Sequence, residues 1–213
     1  MADHPVRTSK ADLADSWCWT YASEQDRRYH LEEWGVPVHD ERRMFDHFSL
    51  ECLQCGLSWN LILQRRDVVR ACFAGFDVDA VAGMGDADVE RILATPGMIR
   101  SPRKVRAVIN NARCVLTMHD GGVSFDEYFW NWTGHKNILY QGHEQGGIPA
   151  KNGLSTRIAA DLKRRGFRYV GPTNVYAHLQ ACGLVCDHNE GCPRYHYVVE
   201  NHPCVRMPRD DER

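Results

Sequence analysis

Glu51 is the first residue in this chain whose placement suggests chemistry. Met44, Phe48, Glu51 and Cys55 follow one another at four, three and four residues, so on a helix they share one face. A carboxylate in an apolar stripe is costly unless a polar or cationic group meets it. The bland reading is a buried Glu satisfied by backbone donors. Gly56 suits the end of that helix and Ser58 the cap of the next, which leaves Leu57 at a turn and Trp59 at the mouth of a new helix. Upstream, Trp17, Trp19, Tyr29, His30 and Trp34 crowd aromatic rings among polar groups, as a pocket wall or a core would.

Cysteine and histidine supply a second chemistry. The nine cysteines are an odd number, which argues against a complete disulfide framework. Those lying among histidines point to metal, and zinc takes four thiolate or imidazole donors in a tetrahedron. Two solutions are open. One is local, with Cys186, His188, Cys192 and His196 in one stretch; the other joins Cys18 and His30 to His188 and Cys192 and staples the two ends of the chain. Reduced cysteines and surface histidines are the ordinary alternative. Cys52 and Cys55 form a Cys-x-x-Cys, but inside a helix and not after a strand, so a redox role is poorly supported.

A third candidate is the turn Thr95–Ser101. Such a turn points backbone N–H groups outward beside a helix N-terminus, a seat for phosphate, and Arg100, Arg103, Lys104 and Arg106 cluster there. Any helix pair needs a turn and any surface needs charges, so this feature alone decides nothing. The overall formal charge of -2 confines nucleic-acid binding to a local basic face. No P-loop, nucleophile elbow or His-Glu-x-x-His is present, which leaves no sign of a nucleotide cofactor.

The elements that must position these groups read as all-α. Helices are expected over Asp40–Cys55, Ser58–Phe73, from Asp86 through Leu93, from Ser101 and Pro102 through Leu116, Ser124–Trp132, from Ser155 to Arg165, and Pro172–Cys182. Residues 1–15 read as a flexible lead-in, 133–154 as an irregular loop, 167–170 as a short extended piece, and 197–213 as a loose polar tail. One unit over 16–196 is expected. It has a central lobe of about 40–122, carrying the hairpin at 95–101, and a terminal lobe of 16–39 and 123–196. No apolar run approaches the roughly 20 residues that span a bilayer, and the first residues lack a secretory pattern, so a cytoplasmic monomer with no membrane partner is the default expectation.

Taken together, these stretches resemble the 3-methyladenine DNA glycosylase I family of helix-hairpin-helix glycosylases. The matching residues are Cys18-Trp19, Tyr29-His30, Glu33-Trp34-Gly35-Val36-Pro37, Glu51, Gln54 and Gly56-Leu57-Ser58-Trp59. Further on come Gly97-Met98-Ile99-Arg100 with Lys104, Asn111-Ala112, the run Lys163–Gly171, Tyr176, Gln180–Val185, and Asp187-His188 with Cys192. The resemblance spans roughly residues 17–195. It implies a helix-hairpin-helix glycosylase fold with a structural zinc held by Cys18, His30, His188 and Cys192, tying the terminal segments together. It further implies double-stranded DNA containing alkylated purines as partner, and excision of 3-methyladenine without a lysine Schiff base or strand cleavage.

By the same resemblance Glu51 recognises the flipped base, Tyr29 and Trp59, with Trp19 and Trp34, form its aromatic pocket, and Leu57 or Gln54 is the wedge. Gly97, Arg100, Ser101, Arg103 and Lys104 would contact the DNA. The sequence departs from the family at Ser101-Pro102, where the family has His-Arg, at Leu31 in place of Asp, and at Asp26 in place of Tyr. The competing readings are a non-catalytic binder of alkylated or distorted DNA on the same fold, and a zinc-stabilised protein-interaction domain that leaves the basic hairpin unexplained.

Overall fold

The computed structural model describes residues 18–209, so the expected lead-in at 1–15 lies outside the described residues. Ten α-helices are described: α1 (Glu24–Glu32), α2 (Glu41–Gln54), α3 (Trp59–Cys72), α4 (Val78–Ala82), α5 (Asp86–Ala94), α6 (Pro102–Asp120), α7 (Phe125–Asn131), α8 (Gly153–Arg164), α9 (Pro172–Ala181) and α10 (Pro193–Asn201). Side-chain caps start several of them. The Asp40 carboxylate accepts from Arg43 N at 2.8 Å and the Ser58 hydroxyl from Leu61 N at 3.3 Å. Proline opens α6, α9 and α10, where its missing N–H costs nothing.

The chain is mostly helical but not purely so. Residues 137–140 form β1 (Asn137–Tyr140), which pairs in parallel with β2 (Cys204–Met207) in the register Asn137↔Cys204. All four β1 residues are buried, so no alternation marks the strand within the expected loop. Its partner lies in what reads as a loose tail; α10 and β2 instead pack residues 193–207 onto the body. The expected extended piece at 167–170 is no strand, and Tyr169 stands there at φ +58°. Helix α1 is unexpected because it buries only Asp26, Tyr29 and His30 and shows no apolar stripe. Gly85 caps α5, with the Asp88 carboxylate accepting from Gly85 N, and Asn152 caps α8, which starts two residues before the expected Ser155.

Helix α2 lies at the centre and packs on α3, α6, α7 and α9. Its Phe45 and Phe48 meet Phe125, Phe129 and Phe167 edge to face or tilted, with ring centroids 5.2–6.0 Å apart. One large apolar core runs from Val38 to Val185, and a smaller cluster of Tyr29, Trp34, Leu63 and Ala181 borders it. Among the described residues no helix is long and apolar enough to cross a membrane.

Candidate active site

Glu51 stands in the last turn of α2, and the helix stops just beyond it because Gly56 takes φ +75°. The carboxylate is 6 % exposed, and among the described residues no donor meets it. Burial alone pushes its carboxyl up to about 8. It faces a cavity of about 260 Å³ lined by Trp19, Tyr29, Trp34, Gln54, Trp59 and one face of α9: Thr173, Asn174, Ala177 and Gln180. Tyr29 and Trp59 lie with ring centroids 5.1 Å apart at 52°, and Trp19 and Trp34 meet edge to face at 4.9 Å. Burial, and then the Glu51 charge, hold the Tyr29 phenol well above its ordinary value, so it stays a hydrogen-bond donor. The four expected aromatics and the expected carboxylate are thus brought to one cavity.

Sequence reasoning missed the α9 face, although Thr173, Ala177 and Gln180 recur at helical spacing after Pro172. It also left Asp26 as an unexplained departure. Asp26 accepts from Trp19 Nε1 at 3.3–3.4 Å and from Ala22 N at 2.9 Å, so it fixes the Trp19 ring at the cavity edge.

A metal-competent cluster lies directly behind this wall. Cys18, His30, His188 and Cys192 place their donor atoms within 4.8 Å of one another. Cys18 Sγ lies 3.5 Å from His188 Nδ1, and Cys192 Sγ lies 3.6 Å from the same atom and 3.7 Å from His30 Nε2. Each imidazole turns its other nitrogen to an oxygen: His188 Nε2 donates to the Trp34 carbonyl at 3.1 Å, and His30 Nδ1 lies 3.0 Å from the Tyr21 hydroxyl. The Cys192 thiol is held low, first by the Cys18 side chain and then by the two histidines, while Cys18 keeps the proton of the pair. Gly35, at φ +75°, permits the close approach, since a Cβ there would sit 2.5 Å from His188 Nε2. The alternative local set is not assembled. Cys186 instead packs with Leu139, Tyr195 and Val198.

The turn between α5 and α6 shares a second hollow with Leu57. About 460 Å³ is lined by Leu57, Leu61, Arg65, Gly97, Met98, Ile99 and Arg100. Arg65 ties this turn to α3 by donating to the Gly97 and Met98 carbonyls at 2.9 and 3.3 Å. Arg100 and Arg103 are exposed. Ser101 caps α6 by position, without a side-chain bond. Lys104 differs from its expected place on the basic face. It is 9 % exposed and donates to the Leu53 and Cys55 carbonyls at 2.6 Å each, closing the end of α2 from inside. Gln54 Nε2 donates to the Leu57 carbonyl at 2.9 Å, so Gln54 braces the turn while Leu57 stands at its tip. Arg164 and Arg165 pair with Asp161, away from the α5–α6 turn.

The helical frame that carries this cavity is shared by solved 3-methyladenine DNA glycosylases I. The 3-methyladenine DNA glycosylase I of Staphylococcus aureus, described for its recognition of 3-methyladenine, matches with a TM-score of 0.81 at 27% identity, covering 85% of this chain and 96% of that one. A Tyr-to-Phe variant of a 3-methyladenine DNA glycosylase I in complex with 3-methyladenine matches at 0.76 and 27% identity, covering 81% and 93%. A family model of methyladenine glycosylases matches residues 17–195, and the chain belongs to that family. DNA-3-methyladenine glycosylase 1 of Escherichia coli K12 is 42% identical over 167 residues, which is 78% of this chain and 89% of that protein.

Proposed function

We propose that this protein is a DNA repair glycosylase that flips 3-methyladenine out of alkylated DNA and hydrolyses its N-glycosidic bond without cutting the strand. The observation that carries this reading is the unpartnered Glu51 carboxylate in an aromatic-lined cavity. 3-Methyladenine in DNA is cationic, so its glycosidic bond is already weakened. The C1′–N9 electron pair leaves with the base, which departs neutral; water adds to C1′, loses a proton and leaves an abasic sugar.

Glu51 is the group that selects for this chemistry. With its carboxyl at about 8, it is largely protonated in the free enzyme at neutral pH and releases that proton as the cationic base arrives. Neutral adenine offers no such exchange. Tyr29, Trp59, Trp19 and Trp34 supply flat faces for the base, and a damaged base is easier to unstack than a normal one. Leu57 fills the gap left in the duplex. The α5–α6 pair acts as a helix-hairpin-helix: the backbone around Gly97, with Arg100, Ser101 and Arg103, seats a DNA phosphate, and Lys104 supports the wedge turn from behind.

The Cys18, His30, His188 and Cys192 cluster holds a structural zinc. Tetrahedral zinc with bonds of about 2.3 Å to sulfur and 2.0–2.1 Å to nitrogen puts neighbouring S and N donors roughly 3.5–3.6 Å apart. Three S···N separations here, 3.5–3.7 Å, match that spacing. Zinc would supply a cross-link between the ends of the chain and takes no part in bond cleavage. The working unit is a monomer, with the hairpin lobe at 40–122 facing the DNA and the terminal lobe, to which α10 and β2 belong, carrying the zinc.

The test is base release from methylated DNA by the purified protein. Free 3-methyladenine should appear, the strand should stay intact until alkali cleaves the abasic site, and Glu51→Gln should lose most of the activity. Full excision by Glu51→Gln would remove Glu51 from this role. Tight binding to alkylated DNA with no release would make the protein a binding module.

A further inference from the structure

Gln180 lines the base cavity from α9, opposite an acidic side chain that holds its amide in one sense. Its Nε2 donates to Asp187 Oδ2 at 2.7 Å. Asp187 is 1 % exposed, and two further groups converge on it: the Tyr176 hydroxyl donates to Oδ2 at 2.7 Å, and His143 Nδ1 lies 2.8 Å from Oδ1. Turning the amide over would set a carbonyl oxygen against a carboxylate oxygen and exchange a charge-assisted hydrogen bond for repulsion. The amide's remaining polar atom is Oε1, an acceptor, and it meets no donor among the described residues.

We propose that Gln180 is a specificity-determining residue of the cavity: its Oε1, locked by Asp187, accepts one N–H of the exocyclic amine of the flipped adenine. The assignment rests on the base-pocket reading above and deepens it. Methylation at N3 makes both purines cationic and leaves both flat, so neither the Glu51 charge nor the aromatic walls distinguish 3-methyladenine from 3-methylguanine. At C6 the two bases differ in kind. Adenine carries an amine that donates, and guanine a carbonyl that accepts. A fixed acceptor facing that position bonds the first and opposes the second, and a hydrogen-bonding site of this kind discriminates far more strongly than an apolar wall. Asp187 is a positioning residue, held by Tyr176 and His143, and acts only through the sense of the amide.

The experiment measures release of both bases from one methylated DNA sample, so their ratio is internal. Gln180→Leu removes the acceptor, and release of 3-methyladenine should fall at least about tenfold while release of 3-methylguanine holds. Asp187→Asn frees the amide to turn and should move the ratio the same way. Melting temperature and zinc content, taken in parallel, separate this from a general loss of structure, which lowers both rates together. A Gln180→Leu ratio within twofold of wild type, with Glu51→Gln still losing release of both bases, would overturn the assignment and leave the pocket standing. Retention of both activities by Glu51→Gln would overturn the pocket itself. If Asp187→Asn does not fold, the Gln180→Leu ratio decides the question alone.

Discussion

Replacing Glu51 by Gln should stabilise the protein as the pH rises, even as it removes the activity. Burial holds the Glu51 carboxyl at about 8, against an ordinary value of 4.5. Between those values the folded chain keeps a proton that the unfolded chain has lost, so the wild type loses stability as pH rises through that window. Gln has nearly the same shape and no proton to lose. Integrating the two titrations from pH 5 to pH 8 gives a growing gap of ~3 kcal/mol in favour of Glu51→Gln, on the order of 1.4 kcal/mol per unit across most of the range. For a chain of this size that corresponds to a relative rise in Tm of roughly 10 °C. The assay is thermal unfolding of both proteins at half-unit pH steps from 5 to 8. Any fixed cost of the substitution cancels in the trend. A difference in Tm that stays flat across this range would refute the reasoning, because it would mean that the folded carboxyl is already ionised at pH 5.

Other perturbations separate the remaining parts. Chelation should lower Tm, and Cys18→Ala and Cys192→Ala should each lose bound zinc, whereas Cys186→Ala and His196→Ala should keep it; metal content by atomic emission decides this. Arg103→Ala should weaken DNA binding uniformly across sequences and reduce the salt slope by about 1 with Tm unchanged, whereas Lys104→Met should lower stability by about 1–3 kcal/mol through the Leu53 and Cys55 carbonyls it leaves bare, a contrast read by salt titration and chemical unfolding. Truncation after Asn201 removes β2 and should unprotect the β1 amides that now meet it, a change visible by hydrogen exchange.

The helices were legible wherever an apolar period and a cap coincide, as at Asp40 with α2 and Ser58 with α3. Helix α1 was not, because it is buried on one narrow line among charges. The β1–β2 pair was not either, since its strands lie far apart in the chain and β1 shows no alternation. Of the cavity, the resemblance named Glu51 and the four aromatics, and the fold brings them to one hollow. In that resemblance Gln180 stood only as a match and Asp26 only as a departure, because the partners that fix each, Asp187 and Trp19, are supplied by folding. Lys104 misled for the opposite reason. It stands among arginines in sequence, yet its stem turns inward and its ammonium finishes a helix.

The metal-competent cluster and the base cavity are built from neighbouring residues: Cys18 beside Trp19, His30 beside Tyr29, and His188 bonded to the backbone of Trp34. Cys18 and His188 are separated by 170 positions. On a ribosome, therefore, Trp19 and Tyr29 emerge long before Thr173, Asn174, Ala177 and Gln180, which complete the cavity wall, and before His188, which bonds Trp34. The hollow beside Glu51 is thus completed late in synthesis, and a partly made chain carries the carboxylate without the α9 wall of its cavity.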